Sequence, residues 1–462
     1  MKNSNPNHIL RNSGVALLAV PPGGKVIPLA VILAGFVAML ALNLPGHLSY
    51  DSVIQLLDGR SGQYHTWHPP VMAFLLGLGD AVLRGSGLFM GLNAALCFLP
   101  LASLLWLKDK VTWLTVLAAL GMALTPQLLL YQGILWKDVL FANAALAGFV
   151  CLAHVGSHWA NPRTRFGLIA AAVAFFLLAA LARQNGVIVI GIGALALGWI
   201  ASRCSGARNT GITYGLTALV ALALLMTAGT MALNLRSAND NGPAAQINQL
   251  RVYDLIGALV QDPGMPLPIL QAQAPKLAAR MRDDGVRLYS PLKIDTLEAS
   301  QNLQDGIATP ASAKPIAQEW RNLILHRPFL YLRVRAAVFA QVFLTPDLRQ
   351  CVPYYVGVDG PADAMAELHL TRRWNASDRF LANYASRFVG TPIFSHVAFA
   401  ALALVLLITL LRRKRPADIA LAAMLVAALI FSLSFFAISI ACDYRYLYAL
   451  DLSALYALLY LV

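Results

Sequence analysis

The chain has 462 residues, 58% of them hydrophobic and only 12% charged, against about a quarter charged in an ordinary soluble domain; a water-soluble globular fold is excluded and the bilayer is the solvent. The formal net charge of +13 does not point to nucleic acid, because the basic residues come in short clusters between apolar runs, as in the cytoplasmic loops of membrane proteins.

The amino terminus is polar and basic, with Lys2, Arg11 and Lys25, and its one apolar stretch, 15–20, is too short for a signal-peptide core. The first long run therefore reads as an uncleaved anchor. Ten runs are long enough to span: 26–45, 88–107, 111–130, 139–156, 166–182, 186–202, 213–234, 394–411, 417–441 and 444–462. Two shorter segments read as interfacial or re-entrant: 69–83, which carries Asp80, and 329–344, with Arg333 and Arg335 in its middle.

With ten spans and a cytoplasmic amino terminus, Lys108, Lys110, Arg163, Arg165, Arg203, Arg208 and the run Arg412, Arg413, Lys414, Arg415 all fall inside. The short outside segments then hold only Arg60, Arg84, Lys137, Arg183 and Arg445, which is the bias expected of a membrane protein. Letting 69–83 span would invert it. The predicted organisation is an all-α polytopic membrane protein: an N-terminal transmembrane module, 1–234, with its first outside loop at 46–87; an outside region, 235–393; and C-terminal transmembrane helices, 394–462. The outside region has 17 basic and 14 acidic residues and helical rather than alternating spacing, which predicts a mostly helical unit.

Five cysteines are too few for a disulfide scaffold, and Cys97, Cys151 and Cys204 sit in or beside apolar runs as packing residues. Cys351 and Cys442 both map to the outer side, where a disulfide between them can form.

All three glutamates, Glu298, Glu319 and Glu367, lie in the outside region, so aspartate is the only acid the membrane part offers. Asp51, Asp58, Asp138 and Asp443 map to the outer face, and Asp451 lies inside the last span. The densest polar stretch is the first outside loop, GHLSYDSVIQ at 46–55 followed by YHTWHPP at 64–70. Asp51 follows directly on a span, where partial desolvation would raise its basicity; the plainer reading is that Asp51 or Ser49 caps the next helix. Gln55, His65, Trp67 and His68 are candidate substrate contacts, with Trp67 as a stacking platform for a sugar or as an interfacial anchor. His65 and His68 hold a metal only if a third ligand joins from elsewhere. Asp58, beside Gly59 and Arg60, reads as part of a solvated turn. Lys137-Asp138, Arg183 and the Asp443-Tyr-Arg-Tyr446 turn bring further carboxylates and cations to the same face, which lone snorkelling cations do not require.

An Asp shortly after the first span, Trp67-His-Pro-Pro70 opening a short helix, Asp138 beginning a later span, Arg183 after a short hairpin and Arg445-Tyr-Leu-Tyr448 near the end together resemble the GT-C superfamily. These are integral membrane glycosyltransferases that use lipid-linked sugars, among them protein mannosyltransferases and the aminoarabinose transferases of lipid A. The resemblance covers 26 to about 200 and roughly the last twenty residues. It implies a sugar moved from a polyprenyl-phosphate donor to a glycan, lipid or protein acceptor, with inversion, at the periplasmic face of a bacterial inner membrane. Asp51 would act on the acceptor hydroxyl as base or holder, with Asp138 as its rival. Lys137, Arg183 and Arg445 would steady the donor phosphate, and Tyr446 would contact substrate. Members commonly carry an Asp-Glu or Asp-Asp pair in the first loop, where this chain has Asp51-Ser52. That departure counts against a metal-bound mechanism; if a divalent ion, Mg or Mn, is used, Asp51 and Asp138 would share it.

Two other classes compete. A transporter or flippase of lipid-linked glycans needs polar groups near the midplane, where only Asp451 is found. An O-antigen polymerase or ligase would lean on arginines and a histidine in two large outside loops.

Overall fold

The computed structural model describes residues 19–21, 23–237, 242–347 and 349–462, so Lys2, Arg11 and residues 15–18 of the short apolar stretch lie outside the described residues. Among those described, regular structure is helical apart from isolated bridges. Helix α1 (Val26–Asn43) leads to two short helices, α2 (Tyr50–Ser61) and α3 (Val71–Val82), and then to α4 (Gly87–Ser103) and α5 (Trp113–Leu124). The long hairpins α6 (Lys137–Ser157), α7 (Pro162–Ala182), α8 (Val187–Ser205) and α9 (Arg208–Asn234) follow. After them come α10 (Gly242–Gln261), α11 (Pro310–His326) and α12 (Pro328–Leu344) of the outer region, α13 (Ala376–Ser386), and the closing helices α14 (His396–Arg413), α15 (Pro416–Ile438) and α16 (Tyr448–Leu461).

Eight helices among the described residues, α1, α4, α6 to α9, α14 and α15, are long and apolar enough to cross a bilayer, which makes the chain a polytopic membrane protein. The expected ten spans need two corrections. The run 111–130 is broken: α5 and the segment Pro126–Gly133 meet at 59°, because Pro126 cannot continue the helix and holds Thr125 extended. The last span, α16, has only 14 helical residues. A 3-10 turn, Tyr444–Leu447, lengthens it at one end, and at the other the Tyr460 hydroxyl donates to Asp418 at the start of α15 (2.8 Å). It is apolar almost all round because neighbouring helices enclose it.

Contacts sort the loops into two ends. Arg415 pairs with Asp109 at 2.6 Å, Lys108 donates to the carbonyls of Leu459 and Tyr460, and Cys204 lies against Gly156. The basic clusters at 108–110, 163–165, 203–208 and 412–415 therefore share one end of the bundle, and the polar loops share the other. A cysteine placed at Ser61 should react with an impermeant thiol reagent from the side opposite to one at Ser205; labelling of both from the same side would overturn this arrangement.

The first loop folds back on itself because α2 and α3 touch backbone to backbone. A Cβ on Gly59 would lie within 2.3 Å of the Ala73 carbonyl, and one on Gly77 within 2.2 Å of the Gly59 carbonyl. Only glycine permits that approach, and it brings the 64–70 stretch over the start of α2. At 12 residues, α3 is too short to span.

The outer region has two parts. A separate hydrophobic core built on Val252, Tyr253, Leu259, Met281 and Val338 unites α10 to α12, while Val356, Val358, Leu381 and Ala385 join the core of the membrane bundle. Helix α12 is not simply interfacial. Although Phe329 is 81% exposed, Arg335 is fully buried, pairs with Asp254 of α10 at 2.9 Å and donates to the carbonyls of Phe436 and Ser439. Those carbonyls are at the open end of α15, where a cation is favoured, so one arginine pins the outer unit to the bundle.

Candidate active site

Asp51 lies in the first turn of α2, after the extended Ser49, but neither side chain caps the helix: Ser49 instead accepts from the Trp136 indole (2.9 Å). Asp138 lies in the first turn of α6, where a carboxylate is favoured. A short register fixes the two helix starts together, with His47 N–H donating to Gly133 O (2.8 Å) and Leu135 N–H donating to His47 O (3.1 Å).

Around these two carboxylates the structure assembles cations from three separate loops. Arg445 reaches Asp51 (3.0 Å) and Asp443 (3.0 Å) and lies 3.9 Å from Asp138. Arg183 pairs with Asp138. Lys137 donates to His68 Nδ1 (2.7 Å), and His68 Nε2 lies 3.6 Å from Asp51. Both guanidinium groups lie over the Tyr446 ring, Arg183 at 5.4 Å and Arg445 at 5.7 Å, and Arg445 also covers Trp136 at 4.9 Å. Lys137, Arg183, Arg445, Asp51, Asp138, His68 and Tyr446 thus form one cluster. Asp443, which the sequence placed on this face without a role, and Trp136, which it did not single out, belong to it too.

The expected rise in Asp51 basicity is reversed. Burial alone would push its carboxyl up, but Arg445, a hydrogen bond from His68 and the Lys137 charge together hold it well below the usual carboxylate range. Burial and Lys137 push His68 down to about 4, against the opposing pull of Asp51. With Nδ1 accepting from the Lys137 ammonium, the proton of the neutral ring is on Nε2, facing Asp51.

Other sequence-derived candidates fall differently. Asp58 is not in a solvated turn: it is 4% exposed and accepts from the His65 backbone N–H (3.1 Å) and His65 Nδ1 (2.7 Å). Arg60 turns away to Asp80 (2.7 Å). His65 and His68 are thus committed to different carboxylates and do not share a ligand position. Gln55 is 4% exposed, and its Oε1 has no hydrogen-bond partner among the described residues. The divalent ion expected between Asp51 and Asp138 does not fit the donor set. The Arg445 guanidinium stands between the two carboxylates, Arg183 occupies Asp138, and no group of three His, Cys, Asp or Glu suited to a metal exists among the described residues.

Three hollows meet at the cluster. A lobe of about 410 Å³ runs along α2 past Gln55, His65 and Trp67. A second, also about 410 Å³, lies between Asp51, Arg445 and the outer unit. Tyr50, Asp51, Trp67 and His68 line both lobes. A third cleft of about 600 Å³ has apolar walls from α7 and α9, with Leu181, Met226 and Leu233, and Arg183 at its inner end.

The turn carrying Arg445 is braced from both sides. Cys351 and Cys442 form the anticipated disulfide, with Cα atoms 4.9 Å apart, Tyr444 N–H donates to Cys351 O (2.8 Å) and Cys442 N–H to Leu292 O (2.9 Å). Beneath it, the Tyr444 hydroxyl donates to Asp451 (2.6 Å), whose other oxygen meets His396 (2.9 Å). Asp451 is therefore fully buried and satisfied, not a group facing a midplane path.

No family model and no curated protein matches this sequence. Among solved structures the chain is similar to the archaeal oligosaccharyltransferase AglB from Archaeoglobus fulgidus, in complex with an inhibitory peptide and a dolichol-phosphate, at 15% identity and a TM-score of 0.42. The match covers 95% of this chain and 50% of that one, so the chain spans about half the length of the protein it resembles.

Proposed function

We propose that the protein is a glycosyltransferase that moves a sugar from a polyprenyl-phosphate donor to an acceptor hydroxyl at the outer face of a bacterial inner membrane, with inversion. The observation that carries this reading is the convergence of Lys137, Arg183 and Arg445 on the Asp51, His68 and Asp138 cluster, with Arg183 also lining the apolar-walled cleft between α7 and α9. The polyprenyl chain lies along α7 and α9, and its phosphate meets Arg183, whose buried Nε has no hydrogen-bond partner among the described residues. The donor sugar occupies the lobe along α2, where the unsatisfied Gln55 Oε1 accepts from a sugar hydroxyl.

In the transfer step the acceptor oxygen forms a bond to the anomeric carbon while the bond from that carbon to the phosphate oxygen breaks. The electron pair of the broken bond goes to the phosphate, and the acceptor proton passes to Asp51. Negative charge grows on the leaving phosphate, so fixed cations there stabilise the transition state more than the ground state. Asp51 is a weak base by virtue of its cations, and its first task is to accept the hydrogen bond that aims the hydroxyl, taking the proton late as the acceptor oxygen becomes acidic. Asp138, sealed against Arg183, holds the arginines in place.

Arg183→Gln should lower kcat about 10²- to 10³-fold in an assay with purified protein and a short-chain polyprenyl-phosphate sugar, with an unchanged gel-filtration profile. Full activity would refute the phosphate role. Because the carboxylates are already neutralised by arginines, EDTA should leave the rate within about twofold; loss of activity restored by Mg or Mn would reinstate the metal.

A further inference from the structure

We propose that the lobe between Asp51 and the outer helical unit is the acceptor site, and that the acceptor it takes is an uncharged carbohydrate; this rests on the glycosyl-transfer reading above. The lobe opens onto Asp51 and Arg445 at its base, and its far wall comes from Gln249 of α10 and from Lys293, Asp295 and Glu298 of the segment after it. Its volume of about 410 Å³ is that of a small-molecule site.

Charge sets the class of ligand. Four carboxylates line the lobe, Asp51, Asp295, Glu298 and Asp443, against two cations, Lys293 and Arg445. Asp51 and Asp443 both share Arg445, which leaves Asp295 and Glu298 facing the opening with Lys293 as their counter-charge. Burial, and then the neighbouring Asp295, push the Glu298 carboxyl up. A phosphorylated or uronic acceptor would meet repulsion here. The remaining lining is what a neutral sugar needs: the flat faces of Trp67 and Tyr355 for the C–H faces of the ring, and carboxylates and an amide for pairs of hydroxyls.

The outer unit reaches the site through firm connections. Arg335, paired with Asp254 inside the unit, docks it through the carbonyls of Phe436 and Ser439, and a bridge between Lys293 and Ala441 ties its lobe wall to the arginine turn. Acceptor choice is therefore assigned to a wall separate from the residues that hold the donor.

The test is an array of neutral, uronic-acid-containing and phosphorylated oligosaccharides probed with the full-length protein in nanodiscs. Binding confined to neutral glycans is expected, falling about tenfold in Asp295→Asn/Glu298→Gln through loss of a charge-assisted hydrogen bond. Both side chains are exposed, so the variant should fold, which gel filtration checks. A blank array, binding of anionic glycans, or undiminished binding by the double variant would overturn the proposal. Slow hydrolysis of polyprenyl-phosphate sugar, measured without acceptor, separates the two readings: hydrolysis with a blank array removes only the acceptor assignment, and glycan binding without any donor turnover removes the transferase reading.

Discussion

Asp51→Asn should lower the rate of sugar transfer about 100- to 10,000-fold, the contribution of a well-placed proton acceptor, while leaving the thermal midpoint of the purified protein nearly unchanged. The asparagine keeps the shape and loses only the charge, and Asp51 sits at the floor of an open cleft with 29% of its side chain exposed, so little of the fold depends on it. Asp138→Asn should behave differently, because Asp138 is 3% exposed and its loss leaves Arg183 buried against a neutral partner: a lower midpoint should accompany its loss of rate. Full transfer by Asp51→Asn together with a stable, inactive Asp138→Asn would move the proton acceptor to Asp138.

The pH dependence follows the same electrostatics. A carboxyl held below its ordinary range is charged at every pH above that depressed value, and the imidazole lowered to about 4 stays neutral above it. Both groups keep their working forms as pH falls from 8 to about 5, and protonation below that point, first of His68 and then of Asp51, should reduce the rate. An acid limb centred near an ordinary histidine value would show that His68 is not buried beside Lys137 as described.

The second large effect concerns stability. Arg335 and Asp254 are both fully buried and 2.9 Å apart. Asp254→Ala leaves a buried guanidinium without its counter-ion, which costs about 3 to 5 kcal/mol. The arginine also holds the carbonyls of Phe436 and Ser439, a few residues before the turn that carries Arg445. The expected result is a fall in the thermal midpoint, with protease cleavage in 242–344 and weakened transfer. An unchanged midpoint would mean that the docking is carried by the apolar contacts alone. Replacing both partners by apolar residues should be milder than the single substitution, because no charge is then left unpaired.

Membrane character and the grouping of the polar loops at one end of the bundle were legible in the sequence. Transfer free energy accumulates along a run of side chains and needs no knowledge of partners, so the long spans read correctly. The exceptions were α5, where Pro126 breaks the run, and α16, whose helical part is too short on its own. The basic clusters identified one end for the same reason, since residues flanking a span cannot travel far from its terminus. Asp51, His68, Lys137, Asp138, Arg183, Arg445 and Tyr446, which the structure brings into one cluster, could be singled out because each lies within a few residues of an apolar boundary on the same face. Tertiary structure alone decided which of these charges meet. Coulomb energy depends on the separation of two groups and on the dielectric between them, neither of which is written along the chain. Asp51 and Arg445 are 394 residues apart in sequence and 3.0 Å apart in space, and that contact turns an expected strong base into an arginine-held carboxylate. By the same physics Asp58 is buried on His65 instead of solvated beside Arg60, and Arg335 is locked into the interior instead of lying in the interface.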